Sequence, residues 1–195
     1  MTYNAAPTQQ LPIVIEDHGT RIPVVVRARW GLIPTWWKEA APPTSTINAR
    51  SEDAPAKPMW REAWRTRRCL VPATHYYEWM KTQEGKLPQA LTDTANQGFM
   101  FAGLWASRLD AAGEPQASFA ILTRAAAPAL VHIHERMPVI LAPQIWRLWI
   151  DRDLTDADAV SRLLRANTEI DVRAFAVGTR VNAPRNDDPG LLDPV

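Results

Sequence analysis

One cysteine, Cys69, is the only thiol in the chain. A single cysteine excludes an internal disulfide and gives no sign of an oxidising compartment. No apolar run approaches the about 18 residues that a helical membrane span needs. The opening MTYNAAPTQQLPIVIEDHGT has no basic segment leading into an apolar one, so it does not read as a signal peptide. The expectation is a soluble cytoplasmic protein. No charge of one sign dominates: 22 basic residues face 21 acidic ones. That excludes a histone-like polycation and leaves a local basic groove open, since net charge is silent about distribution. The GxxxxGK[ST] and GxGxxG loops, CxxC, HExxH and the G-x-S-x-G elbow are all absent. With them go the common nucleotide, zinc and serine-hydrolase signatures.

Proline and tryptophan are abundant, at 17 and 9 residues. Proline breaks helices and central strands, so short elements and many turns are expected. Tryptophan serves either a core or a platform on which bases stack. Residues 11–15 and 22–30 read as strands joined by the turn-prone EDHGT. Residues 30–50 read as irregular and 58–67 as a short helix. Strands are expected at 69–82 and 88–94, a hairpin from 99–108 and 118–125, and a short strand at 137–141. Helices are expected at 142–150 and 155–166, the second capped by Thr155, and a last strand at 172–181. No repeat or linker divides the chain, which predicts one α+β domain over 1–195. Its core would be a curved, mostly antiparallel sheet closed like a barrel, with helices around it.

The residues able to carry chemistry fall in three stretches. In VHIHERMP (131–138), His132 and His134 would face the same way if the segment is extended. No third ligand is evident, so a metal site is not expected. A histidine at the mouth of a strand suits a general acid or base. Glu78 lies among Tyr76, Tyr77 and Trp79. Burial there would raise its pKa and make it a proton shuttle; exposure would make it an ordinary strand glutamate. In INAR (47–50), Asn48 offers a donor and an acceptor and Arg50 a bidentate phosphate grip. Taken singly, each of these residues is better read as an ordinary strand or loop residue.

Taken together, the blocks are more specific. YNAAPTQ (3–9), RWGLIPTWW (29–37), INAR (47–50), RRCLVPATHYYEW (67–79), FAGLW (101–105), ILT (121–123), HERMPVIL (134–141) and a C-terminal VN…LLDPV (181–195) follow in one order. In this they resemble the SRAP family, the SOS-response-associated peptidases or abasic-site-processing proteins, over nearly the whole chain. The resemblance implies binding to abasic sites in single-stranded DNA during the DNA-damage response, without cofactor, metal or membrane. It implies a monomer, in the cytoplasm and on the nucleoid when bound to DNA. It further implies a protective crosslink, in which the α-amine of an N-terminal cysteine condenses with the sugar aldehyde and the thiol closes a thiazolidine. The same cysteine is linked to self-removal of an N-terminal extension, a peptidase activity placed among hydrolases or lyases. By the same resemblance Asn48 hydrogen-bonds the linkage, Glu78 shuttles protons and His134 protonates the sugar oxygen. Arg50, Thr123 and Arg136 would contact phosphate or sugar, and Pro7 and Trp30 would form the wedge and platform beside the lesion.

The sequence departs from the family pattern in places. Family members begin Met-Cys-Gly-Arg, whereas MTYNAAPTQ matches further inside their N-terminal region. The expectation is a chain without the leading arm and its nucleophile, by an internal start, a truncation or true loss, and impaired accordingly. His75 stands where a small residue is usual, and Lys57 is the nearest counterpart of a basic residue that follows INAR. Cys69 matches a cysteine at the start of the strand leading to YYEW, which favours packing over catalysis. Two other readings remain: a non-covalent single-stranded DNA-binding module, and a cysteine peptidase using Cys69 with His134.

Overall fold

Alternation of apolar and polar residues builds the first hairpin. In a computed structural model, which describes residues 2–39, 45–110, 112–168 and 170–195, strand β1 (Gln10–Glu16) pairs antiparallel with β2 (Pro23–Trp30) from Gln10 against Arg29 to Glu16 against Pro23. Ile13 and Ile15 point inward and are buried, as a period of two requires. β4 (Arg68–Ala73) pairs antiparallel with β1 and with β7 (Phe99–Leu109), which forms a hairpin with β8 (Pro115–Ala125). β8 then meets β2 in parallel, Arg29 against Ser118 and Trp30 against Phe119. The order β2-β1-β4-β7-β8 thus closes on itself as a barrel. Closure leaves these strands few free edges. The expected α+β fold with a barrel-like core is what the chain adopts, and the sheet is mixed because β8 takes parallel partners.

Beyond the hairpin register, the second half of β8 acquires two short partners. β3 (Asn48–Arg50) lies parallel to it, Asn48 against Ile121 and Arg50 against Thr123. β9 (Arg136–Pro138) lies antiparallel, Thr123 against Pro138 and Ala125 against Arg136. A separate three-stranded sheet orders β10 (Val172–Ala176), β6 (Gly85–Asp93) and β5 (His75–Thr82). Three helices, α1 (Arg61–Thr66), α2 (Trp146–Ile150) and α3 (Ala157–Arg165), pack around the barrel among the described residues.

Several expected elements shift. Residues 69–82 form two strands in two sheets, broken at Thr74. Pro72 deprives β4 of a ladder donor just before the break. The four residues Arg68–Val71 are all buried, covered on both faces, whereas β5 is half-buried. β3 falls in the stretch expected to be irregular, of which residues 40–44 lie outside the described residues. The strand expected at 137–141 starts at Arg136, and its later residues stay hydrogen-bonded between β7 and β8 through Val139 and Leu141. The last strand ends at Ala176, and Thr179–Asn182 turns into a 3-10 helix. The α3 cap is Asp156 rather than Thr155: its carboxylate accepts from the Ala159 N–H at 2.6 Å, the bond that an N-cap side chain makes.

A buried cation ties the helices to β4. The Arg68 side chain donates from Nε to the Trp149 carbonyl (2.6 Å) and from Nη1 to those of Trp64 and Arg65 (2.7 Å each). Its Nη2 donates to the carbonyls of Asp151 and Leu154. Burial draws its pKa down to about 10, opposed by the charges of Asp151 and Glu16. Behind it, Trp64 meets Trp149 edge to face at 6.0 Å, a favoured aromatic geometry.

The barrel interior is tight where β4 crosses β7. A Cβ added to Gly103 would stand 2.7 Å from Cys69 Sγ and 3.0 Å from a Val71 methyl. Gly103→Ala is therefore expected to lower stability by about 1–3 kcal/mol, as overpacking does. Urea denaturation measures this, and Cys69→Ala in the same chain should recover part of the loss. A neutral Gly103→Ala would show that the crossing is looser than described.

Candidate functional site between the two sheets

Glu78 sits on β5 and His134 just ahead of β9, so they come from different sheets. Their side chains meet all the same: His134 Nδ1 is 3.9 Å from Glu78 Oε1, with 44% and 23% exposure. The loop that carries His134 is anchored by buried Leu130, Ile133 and Met137. His134 Nδ1 also lies 2.9 Å from the Arg136 carbonyl and 3.1 Å from the Arg136 N–H. Protonated, it donates to the first; deprotonated, it accepts from the second. The ring is thus held in either state. Among the described residues, no hydrogen bond reaches its Nε2, which leaves that nitrogen for a ligand.

Burial raises the Glu78 pKa above its ordinary 4.5, and the nearby imidazole partly opposes the rise. The shift is in the direction that favours a carboxyl as a proton donor. Tyr76, two residues away on the same face of β5, buries its hydroxyl without a partner among the described residues. Its pKa is pushed upward, first by burial and then by the Glu78 charge.

The remaining expected site residues form a run of contacts along β8. Asn48 and Arg50 face outward from β3 and Ala49 inward, at 2% exposure. No side-chain hydrogen bond or ion pair holds Asn48 or Arg50 among the described residues. Trp30 donates from its indole to the Ile47 carbonyl at 2.9 Å, just before Asn48, and lies near-parallel to Phe119 at 6.4 Å. Pro7 is exposed beside it, because the next residue, Thr8, donates its N–H to the Trp30 carbonyl at 2.8 Å. Thr123, opposite Arg50, accepts from Arg136 Nη2 at its carbonyl (2.7 Å) and hydroxyl (3.3 Å).

Arg136 is not free. It makes a two-pronged pair with Glu52, Nη1 to Oε1 at 2.9 Å and Nη2 to Oε2 at 2.8 Å. The arginine bond holds the Glu52 pKa below its ordinary value. Glu52 escaped the sequence reading, although it stands two residues after Arg50. Lys57 is likewise paired, with Asp53 at 2.8 Å.

Three other candidates resolve differently. The segment before His134 is a run of turns, with Val131 N–H on the Ala127 carbonyl and His134 N–H on that of Leu130. It is not extended, so His132 and His134 do not share a face as expected. No group of three metal-ligating side chains occurs among the described residues. Cys69 is fully buried, and burial alone pushes its thiol upward. A thiol so placed is inert as a nucleophile. His75 lies on the face of β5 opposite Glu78. Its Nε2 contacts the Tyr3 carbonyl at 2.9 Å, which the Tyr77 hydroxyl also reaches at 3.1 Å.

Comparison with known proteins settles the family. The family model described as SOS response associated peptidase (SRAP) matches residues 1–184. The chain belongs to the SRAP family. Two similar proteins are the abasic site processing protein YoqW of Bacillus subtilis, 33% identical over 98% of this chain and 85% of its own, and YedK of Escherichia coli, 29% identical over 99% and 84%. An X-ray crystal structure of a protein from Bacteroides thetaiotaomicron superposes with a TM-score of 0.81 at 27% identity, covering 96% of this chain and 82% of that one.

The raised pKa of Glu78 has a defined effect on stability. The folded state holds this proton more tightly than the unfolded chain, so stability falls as pH rises above the ordinary 4.5. Glu78→Gln removes the buried charge. The variant should melt higher than the parent at pH 7, and the difference should shrink as pH falls below 4.5. A variant that melts lower at pH 7 would mean that the His134 pair outweighs the desolvation.

Proposed function

We propose that this protein recognises abasic sites in single-stranded DNA and transfers protons at the sugar aldehyde. The observation that carries the reading is the Glu78–His134 contact, a desolvated carboxyl beside a backbone-held imidazole. The names of similar proteins point the same way. Addition of an amine to the open-chain aldehyde forms a carbinolamine. Expelling its hydroxyl as water needs a proton, which protonated Glu78 supplies, leaving a protonated imine and a carboxylate. His134 delivers a proton from Nε2 to the ring oxygen as the sugar opens. Asn48 and Arg50 present a hydrogen-bonding amide and an unpaired guanidinium to the linkage and its phosphate. Trp30 and Pro7 offer the surface against which the lesion's neighbours stack. The family resemblance adds closure of the imine by a thiol, self-processing as a peptidase and service in the SOS response. Within these residues the one thiol, Cys69, is buried, so the proposal extends to an imine with a protein amine and not to its closure by a thiol.

A single-stranded oligonucleotide with one abasic site, treated with borohydride and run on a denaturing gel, tests this. A trapped adduct is expected, formed about 100-fold more slowly by Glu78→Gln, the scale of general-acid catalysis. Equal rates for parent and variant would remove Glu78 from the chemistry. Binding without any adduct would favour the non-covalent DNA-binding module, which the exposed Arg50 also serves.

Glu52 bears on affinity in the same proposal, since it occupies the Arg136 guanidinium that a phosphate would otherwise take. Glu52→Gln should tighten binding and steepen the salt dependence by about 0.7, the single-strand value for one more phosphate contact. Weaker binding would make the pair a scaffold for β9 instead.

A further inference from the structure

Outside the pocket, the described surface carries a groove of about 740 Å³, lined by Trp36, Pro55, Pro58, Arg61, Glu62 and Arg65. Trp36 is 51% exposed and stands edge-on to Trp37 at 5.6 Å. Arg61 and Arg65 are one helical turn apart on α1, so both project on one side. That side is opposite the helix face buried by Ala63 and Trp64. Neither guanidinium has an ion pair or side-chain hydrogen bond among the described residues. The acid in the groove is already committed: Glu62 pairs with Arg67 at 3.0 Å and accepts from the Thr35 hydroxyl at 3.4 Å. The groove therefore offers an exposed indole, two proline faces and two uncompensated cations.

Its position adds to this. The segment from Trp30 to Trp36 is six residues, which caps the distance between them at about 20 Å. On the other side, Pro55 follows Arg50 through a tight turn in which the Ala54 N–H bonds the Arg50 carbonyl and the Lys57 N–H that of Asp53. Trp36 and Pro55, which line the groove, thus stand six and five residues along the chain from the pocket's Trp30 and Arg50.

We propose that this groove binds the strand flanking the lesion, one base stacking on Trp36 while Arg61 and Arg65 hold successive phosphates. An indole beside free guanidiniums is the combination by which proteins track single strands without reading sequence. The pocket and groove together would cover several nucleotides, within the roughly 4–16 that compact single-strand sites occupy. The inference rests on the proposed DNA reading and extends it from the lesion to its neighbours.

Fluorescence anisotropy with two labelled single-stranded probes tests it. One probe has about five nucleotides centred on an abasic site; the other has about fifteen, with the lesion near either end. The double variant Arg61→Ala/Arg65→Ala should bind the short probe as the parent does. On the long probe, in one polarity only, its salt slope should fall by about 1.4, for two lost phosphates. Trp36→Ala should weaken the same long probe about 5- to 100-fold, and Trp36→Phe should restore most of that. All three side chains are solvent-facing, so unchanged thermal melting checks that the variants fold. Parent-like binding of both probes by both variants would overturn the groove while leaving the lesion pocket standing. Failure of the parent to bind either probe would remove the DNA reading and the groove with it.

Discussion

Strand β8 is paired along both edges, and the rest of the molecule is arranged around that constraint. Its first half closes the barrel between β7 and β2, and its second half is gripped by β3 and β9. The position of a strand so placed cannot slip without breaking four ladders at once. Trp30, Asn48, Arg50, Thr123 and Arg136 inherit their mutual geometry from it, because each sits on β8 or on a strand registered against it. The pocket is therefore built on paired strands, which hold side chains more firmly than loops do.

Glu78 comes from the second sheet, while His134 and Pro7 come from turns next to β9 and β1. The second sheet brings a carboxyl against the imidazole of His134, in the turn that leads into β9. Tyr76 lies edge-on to Phe99 and Phe101, at 5.9 and 5.8 Å, locking β5 against the end of the barrel. Glu78, two residues on along the same face of β5, is desolvated, and burial raises its pKa. On the proposed reading of Glu78, stability and reactivity pull against each other here.

The opposite face of β5 does structural work. His75 and Tyr77 converge on the Tyr3 carbonyl, while Asp187 takes the Tyr3 and Asn4 N–H groups. The Asn4 amide donates to the carbonyls of Val181, Ala183 and Asn186. A buried asparagine with its donors used in this way fixes its segment to the C-terminal turns. His75, a departure from the family pattern, is accounted for as a holder of that segment.

How much of this was legible beforehand follows from what each feature depends on. The hairpins β1–β2 and β7–β8 were readable, because alternation and turn residues are local signals. The order of short motif blocks pointed to the SRAP family and to the candidate residues, since motifs need no coordinates. β3 was not readable: three residues carry no period, and the strand exists only because β8 offers it an edge. The break at Thr74 was hidden because both halves are apolar, and only the partners differ. The Arg136–Glu52 pair, the Glu78–His134 contact and the turns that separate His132 from His134 all join groups by register or loop path. Composition, local periodicity and the residue types available for chemistry were determined by the sequence itself. Which of them are desolvated, paired or left free was decided only by tertiary structure, because burial and Coulomb interaction depend on neighbours distant in the chain.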